Sequence, residues 1–443
     1  MYQARVTALR NVRTFPEADR LKLATCVGNQ VVIGLNHVDD ELGIYLPSDG
    51  QLSHEFCYHN NLYRAAELNK DKDAKPGMFD NNRRVRAQAF RGQKSDGFWI
   101  PLDSVKFTGI KEKELVEGFE FDTLNGVAIC SKYINPATLK AASQNAQKKT
   151  KTAKTSIMFK EHIETKHIGA NINKINDNDL VILTEKLHGT SHREGHVLVE
   201  RELSWFEKLL KRFTKVKIAM TEWAYLSGTR RVVLQESKRD GIQYHDPTIR
   251  EKAHKLFKDN LKKGETVYLE IVGFEPNGGG IMGAHNTTKT KDKAFIKQFG
   301  EVMPYAYGCL PNECDFYVYR ISMTNEDGHT VDYSWDDVMK RCAELGVLHV
   351  PELCRFTVKE FKKEHNITDD RDFEAKFNEI IAEHGNGASV LDQKTYKEGD
   401  CVRLESGLSV RIYKYKNWFF KTMESEAKND VNYVDTEEVE AES

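Results

Sequence analysis

A carboxylate set inside an apolar run constrains this chain most. In Val267-Tyr268-Leu269-Glu270-Ile271 the flanking side chains demand a buried strand, where an unpaired charge would be costly. Glu270 is therefore expected to serve a metal or a hydroxyl. A second charged group in a similar setting is Lys186, in Glu185-Lys186-Leu187-His188-Gly189-Thr190-Ser191, directly after the apolar strand Val181-Ile182-Leu183. A lysine held at a strand end beside a glycine can approach a ligand closely, and becomes a nucleophile if its pKa is depressed. Taken alone the motif is weak, because a surface lysine before a turn has the same appearance.

The remaining chain supplies companions. Asp315-Phe316-Tyr317-Val318-Tyr319-Arg320-Ile321 is an aromatic strand suited to stacking on a base. Glu398-Gly399-Asp400-Cys401-Val402-Arg403 opens another strand, and Ser406-Gly407 turns the chain into Val410-Arg411-Ile412-Tyr413-Lys414-Tyr415-Lys416. Lys414 and Lys416 are two residues apart and share one face of that strand, an arrangement that can grip a phosphate.

The first hundred residues read as short strands punctuated by turns. Leu21 to Val27 and Gln30 to Gly34 flank Gly28-Asn29, a hairpin signature, and Arg83 to Arg91 leads through GQKSDG into Phe98-Trp99-Ile100-Pro101-Leu102. A small barrel or sandwich follows, the OB-fold being one solution. Arg83, Arg84, Arg86 and Arg91 on the second ribbon are candidate nucleic-acid contacts, although a solvated outer face explains them equally well.

Charge and composition narrow the classes. The 443 residues carry 65 basic and 67 acidic side chains, but the stretch from Glu424 onward holds eight acids against one lysine. The preceding 423 residues thus have 64 bases and 59 acids, a mildly basic body compatible with a nucleic-acid partner. No apolar run approaches about 18 residues and the N-terminus lacks a continuous apolar segment, so no membrane span or secretory signal is expected and the chain reads as intracellular, cytoplasmic. The eight cysteines form no CxxC pair and are expected as reduced thiols. Residues 1–140 are expected as an N-terminal β-domain, 141–156 as a basic linker, 157–423 as a mixed strand and helix domain, and 424–443 as an acidic disordered tail. Within the second domain, Trp205 to Met220 reads as a basic amphipathic surface helix packing Leu209, Phe213 and Val216 inward, and Val358 to His384 as a helical insert.

The order Lys186-x-x-Gly189, Arg230, Glu270, Phe316-x-x-Tyr319, Glu398-Gly399 and Lys414-x-Lys416 resembles motifs I, Ia, III, IIIa, IV and V of the covalent nucleotidyltransferases, which include ATP-dependent DNA ligases, RNA ligases and capping enzymes. These motifs span residues 160 to 420. The stretch Phe159-Lys-Glu-His162-Ile-Glu164-Thr165, the form Glu-Lys-Leu-His-Gly-Thr-Ser and the N-terminal β-domain resemble more closely the RNA ligases that seal nicks in duplex RNA. DNA ligases and capping enzymes place an OB domain after motif V, whereas 27 residues follow Lys416 here. A DNA ligase, a capping-type enzyme and a non-catalytic RNA-binding protein with this fold are the alternatives.

The resemblance implies an α+β chain, with an OB-like barrel followed by an adenylyltransferase (nucleotidyltransferase, ATP-grasp-like ligase) domain of antiparallel sheets and flanking helices. It implies ATP as substrate, AMP as covalent intermediate on Lys186, Mg²⁺ or Mn²⁺, RNA as partner, and neither a membrane nor an obligate protein partner. Glu270 and Glu398 would hold metal-bound waters, and Lys414 and Lys416 would supply positive charge. Arg230 would contact ribose or phosphate, and Tyr319 would stack on adenine. Glu185 and Thr165 would read the adenine edge, and His188 and Gly189 complete the nucleotide-binding set. Two features depart from the pattern. His188 stands where the superfamily usually has Asp, and Arg231 beside Arg230 offers a second arginine for one motif position.

Overall fold

The computed structural model describes residues 2–16, 18–147, 155–213, 218–234, 245–430, 432–435 and 438–439. Two sheets carry the second module. The five-stranded one runs in the order Lys166–His167, Ser409–Lys416, Gly399–Ser406, Leu180–Lys186, Glu352–Thr357. The larger one runs Val233–Leu234, Thr221–Gly228, Thr190–Glu200, Glu265–Gly273, Cys314–Thr324, Thr330–Asp332, with Leu348–His349 pairing Cys314–Thr324 off this path. All pairings are antiparallel except those of Lys166–His167 and Leu348–His349. The chain passes from one sheet to the other through Leu187-His188-Gly189, so the lysine motif is the hinge between them.

Apolar alternation decides which faces are covered. Val181, Leu183, Val402 and Leu404 share one face of the smaller sheet and bury it against Phe361, Phe373, Phe377 and Ile381. Those four come from Val358–Glu364 and Asp370–Gly385, so the expected insert is two helices that roof the outer face of the lysine strand. The larger sheet packs Val267, Leu269 and Ile271 with Val318, Ile321, Trp335 and Val338 into a second core.

The N-terminal module is all β apart from short helical turns and the six-residue helix His54–His59. Its strands fall into separate sheets, including Phe98–Pro101, Leu42–Leu46, Ala4–Ala8, Glu120–Phe121 and the meander Arg10–Thr14, Leu21–Cys26, Asn29–Gly34. No closed barrel is formed among the described residues. Both expected hairpins exist with shifted turns. Cys26 pairs with Asn29, so the turn residues are Val27 and Gly28, at φ 52° and 77°. The second turn is Arg91-Gly92, and the strand Gln93–Asp96 replaces the anticipated GQKSDG turn. Both match the two-residue type that needs positive φ at each position.

Several expectations are corrected. Pro136–Gln147 is a helix that covers the beginning of the expected linker, whose residues 148–154 lie outside the described residues. Trp205–Phe213 is a helix, but Trp205, Phe206, Leu209 and Phe213 are exposed rather than packed inward, and Val216 lies outside the described residues. All eight cysteines are free thiols. Among the described residues no helix is long and apolar enough to cross a membrane.

The tail is not disordered from Glu424. Trp418–Ala427 is a helix capped by Asn417, whose Oδ1 accepts the Phe420 N–H at 2.9 Å. This helix is the seam between the modules. Lys421 Nζ donates to Asp96 at 2.6 Å, and Lys428 Nζ to Asp49 at 2.8 Å. Asn135 Nδ2 bonds the carbonyls of Lys428 and Asp430, and Lys132 pairs with Glu438. Lys428 is 4% exposed; burial lowers its pKa, but Asp49 and Glu424 more than offset that and hold it well above the ordinary lysine value. Replacing one partner of such a buried set strands the others. Lys428→Met is therefore expected to destabilise the protein by about 3 kcal/mol, read as an earlier unfolding midpoint in denaturant.

Candidate active site

Strand register assembles the charged centre. Lys186 lies opposite Gly399, and Gly399 opposite Lys416, so Glu398 projects between the two lysines. Lys186 Nζ is 2.7 Å from Glu398 Oε2, and Lys416 Nζ 3.0 Å from Oε1. Gly399 is needed here because a Cβ would stand 2.0 Å from the Tyr415 carbonyl oxygen. Glu398 is 1% exposed; burial raises its pKa, but Lys186 and Lys416 prevail and lower it to about 2.

The hinge loop fixes the second carboxylate. Glu270 faces Ser191 across the sheet, accepts the Gly189 N–H at 3.1 Å and lies 3.4 Å from the Ser191 hydroxyl. A side chain at Gly189 is impossible without movement, since its Cβ would fall 2.3 Å from the Ile271 carbonyl oxygen. The carboxylate in this apolar strand thus takes one backbone donor and lies beside one hydroxyl.

His188 is caged rather than open to water. Its N–H donates to the Tyr307 hydroxyl at 2.7 Å, and its ring meets Tyr305 and Phe420 edge-on at 4.5 and 4.9 Å between centroids. His285 stacks on it at 5.9 Å. Burial drives the imidazole down to about 3 in spite of Glu398, whose Oε2 is 3.8 Å from Nδ1. The ring is neutral at physiological pH.

A cavity of about 600 Å³ opens beside this centre. Lys186, Glu270, Tyr319, Lys414, Lys416, Arg230, Thr165 and Glu185 all line it. Tyr319 gets there by a bulge: Leu269 pairs with Val318 and Tyr268 with Arg320, leaving Tyr319 as the extra residue. Bulges of this kind re-aim a side chain. Arg230 lines the cavity while Arg231 is exposed outside it, which separates the two arginines. Glu185 is 1% exposed and its Oε2 accepts the Val390 N–H at 3.0 Å, so its carboxylate is tied to the protein itself. Burial lowers the Lys414 pKa to about 8, with the charges of Lys416, Lys186 and Arg230 acting the same way.

The arginine ribbon is not part of this cavity. Arg84 is 4% exposed, lies over the Tyr133 ring at 4.6 Å and donates to Asn429 Oδ1 at 3.0 Å, so it holds the modules together instead of facing a nucleic acid. Arg83 bonds the carbonyls of Leu52 and Asn81. Arg86 lines a small hollow with Arg64, Gln88, Phe90 and Phe98, and Arg91 is exposed at the turn.

Sequence reasoning missed the other walls. Tyr2, Arg5 and Lys132 come from the N-terminal module, and Glu424 and Lys428 from the region expected to be disordered. The Asn417-Trp418-Phe419-Phe420 start of a capped helix was the available signal.

Among the described residues no group of three His, Cys, Asp or Glu side chains converges as a metal site.

The sequence model of the RNA ligase family matches residues 179–416. The chain belongs to the RNA ligase family. No curated protein sequence matches it. Solved structures of Naegleria gruberi RNA ligase share the fold. A lysine-to-alanine variant of that enzyme with ATP and Mn has TM-score 0.53 at 16% identity, covering 95% of this chain and 98% of that one. A glutamate-to-alanine variant with ATP and Mn gives 0.56 at 16%, covering 94% and 98%. A further glutamate variant with AMP and Mn gives 0.56 at 15%, covering 94% and 97%.

The Glu398 geometry sets a pH test. A carboxylate near 2 in the folded protein and 4.5 ordinarily contributes stability above about 4.5, which is lost as pH falls toward 2. The stability gap between the wild type and Glu398→Gln is expected to narrow by on the order of 2 to 3 kcal/mol between about pH 6 and about pH 2, measured by urea unfolding.

Proposed function

We propose that this chain is an ATP-dependent RNA ligase that seals 3′-OH/5′-phosphate breaks, with nicks in duplex RNA as substrates. The observation that carries the reading is the sharing of one buried carboxylate, Glu398, by Lys186 and Lys416 at the wall of a cavity also lined by Lys414, Arg230 and Tyr319. The ATP, AMP and Mn of the Naegleria structures support the choice of nucleotide and metal.

Lys186 Nζ, having lost its proton, attacks the α-phosphorus of ATP. The N–P bond forms as the bond to the bridging oxygen breaks and pyrophosphate leaves. The adenylyl group then passes to an RNA 5′-phosphate, and the RNA 3′-hydroxyl displaces AMP to close the phosphodiester. Such displacements depend on positioning and charge neutralisation more than on covalent help. Lys414, Lys416 and Arg230 bind phosphate oxygens, and Tyr319 and the Thr165 segment hold the adenine. Mg²⁺ or Mn²⁺ at Glu270 and Glu398 would neutralise phosphate charge. The N-terminal module, proposed as the OB-like domain, grips the duplex through phosphate contacts in which Arg86 and Arg91 remain candidates.

Lys186→Ala is expected to abolish transfer of label from α-labelled ATP to the protein while the chain still folds, with an earlier melt because Glu398 loses one of its two ammonium partners. Retained labelling would move the nucleophile elsewhere. With a nicked duplex, sealing is expected when the 3′-OH strand is RNA; labelling without sealing would point to another acceptor. Because Lys414 is charged below about pH 8, ATP binding is expected to take up a proton near that pH and weaken above it. Lys414→Arg should flatten this dependence in a calorimetric titration.

A further inference from the structure

The hinge loop of this chain is one carboxylate short, because His188, which bears no negative charge in either protonation state, stands where the superfamily usually has Asp. Another carboxylate reaches Lys416 from a different element. The helix Trp418–Ala427 starts directly after Lys416, and Asn417 N–H, at its cap, donates to the Glu398 carbonyl at 3.0 Å. Phe420 on this helix lies edge-on against the His188 ring at 4.9 Å and against His285 at 5.4 Å. Residues four apart share a helix face, which puts Glu424 on the side that meets His188.

Glu424 is half-buried at the cavity wall, with Oε2 at 3.5 Å from Lys416 Nζ and Oε1 at 3.5 Å from Lys428 Nζ. Lys416 therefore stands between two carboxylates, Glu398 at 3.0 Å and Glu424, with its ammonium 5.1 Å from the Phe420 ring centre. Burial raises the Glu424 pKa, but the ammonium groups of Lys416 and Lys428 prevail and hold it well below the ordinary carboxylate range.

We infer that Glu424 supplies, from the helix after motif V, the negative charge that His188 withholds from the hinge loop, and that it positions Lys416 for the phosphate. The pair His188 and Glu424 is then one solution to a charge balance that Asp at the hinge solves otherwise. A carboxylate at both positions overloads the site, and one at neither leaves Lys416 underheld. This rests on the adenylyl-transfer reading above.

A double-mutant cycle tests it, using the full chain as wild type, Glu424→Gln, His188→Asp and the double variant. Each is read by single-turnover labelling from α-labelled ATP at saturating nucleotide and by thermal melting. Glu424→Gln is expected to slow labelling about tenfold or more, the scale of a lost charge-assisted contact, with little change in ATP affinity. His188→Asp alone is also expected to slow it, and the double variant to label faster than Glu424→Gln. A double variant no faster than the slower single, or Glu424→Gln at the wild-type rate, overturns the inference. So does His188→Asp labelling faster than wild type, which decides the matter even where Glu424→Gln fails to fold. Glu424→Asp keeps the charge and is expected near the wild-type rate. Melting scores the coupling without chemistry: His188→Asp should destabilise less in the Glu424→Gln background, and equal losses would refute coupling. Absence of labelling in every protein, wild type included, would count against the ligase reading while the melting cycle still decides this one.

Discussion

One buried carboxylate shared by two ammonium groups organises the molecule. Glu398 is kept ionised in its buried setting by Lys186 and Lys416, and it ties both lysines to the cavity wall in return. Three strands must therefore stay in register, since Lys186, Gly399 and Lys416 are cross-strand neighbours and a slip of one residue would turn each side chain to the other face. The helices Val358–Glu364 and Asp370–Gly385 serve that register by burying the far face of the same sheet.

The site was legible wherever a charged residue interrupts an apolar strand. Lys186 and Glu270 stand in apolar strands and Lys414 and Lys416 share one strand face, and the structure brings all four from two sheets to one cavity, with Glu398 tying Lys186 to Lys416. Tyr319 was legible only as an aromatic in a strand, because its aim depends on a bulge that periodicity cannot register. Arg84 was misread for the same kind of reason. It was grouped with Arg83, Arg86 and Arg91 on one ribbon, but what covers it, Tyr133 and Asn429, is far away in the chain.

The N-terminal hairpins show the limits at finer grain. Gly28 was rightly seen as a turn residue, yet Val27 rather than Asn29 joins it in the left-handed region. A β-branched residue is disfavoured there, so only the packing of the flanking strands can choose it. The tail failed on composition: its many acids read as solvated, whereas Glu424 and Lys428 find partners across the modules. The exposed apolar side of Trp205–Phe213 is the opposite error, an amphipathic pattern with no core beneath it among the described residues.

The seam helix Trp418–Ala427 has a consequence for how the molecule comes into being. Lys186, Glu270, Glu398, Lys414 and Lys416 all precede it in the chain, whereas Glu424 and Lys428 arrive with it, and synthesis proceeds from the N-terminus. While the ribosome is still adding Trp418 onward, a nascent chain carries Lys186, Glu398 and Lys416 but lacks Phe420 against His188 and Lys421 and Lys428 against the N-terminal module. The wall that Glu424, Lys428 and the residues after them give the cavity is therefore made after every other part of it.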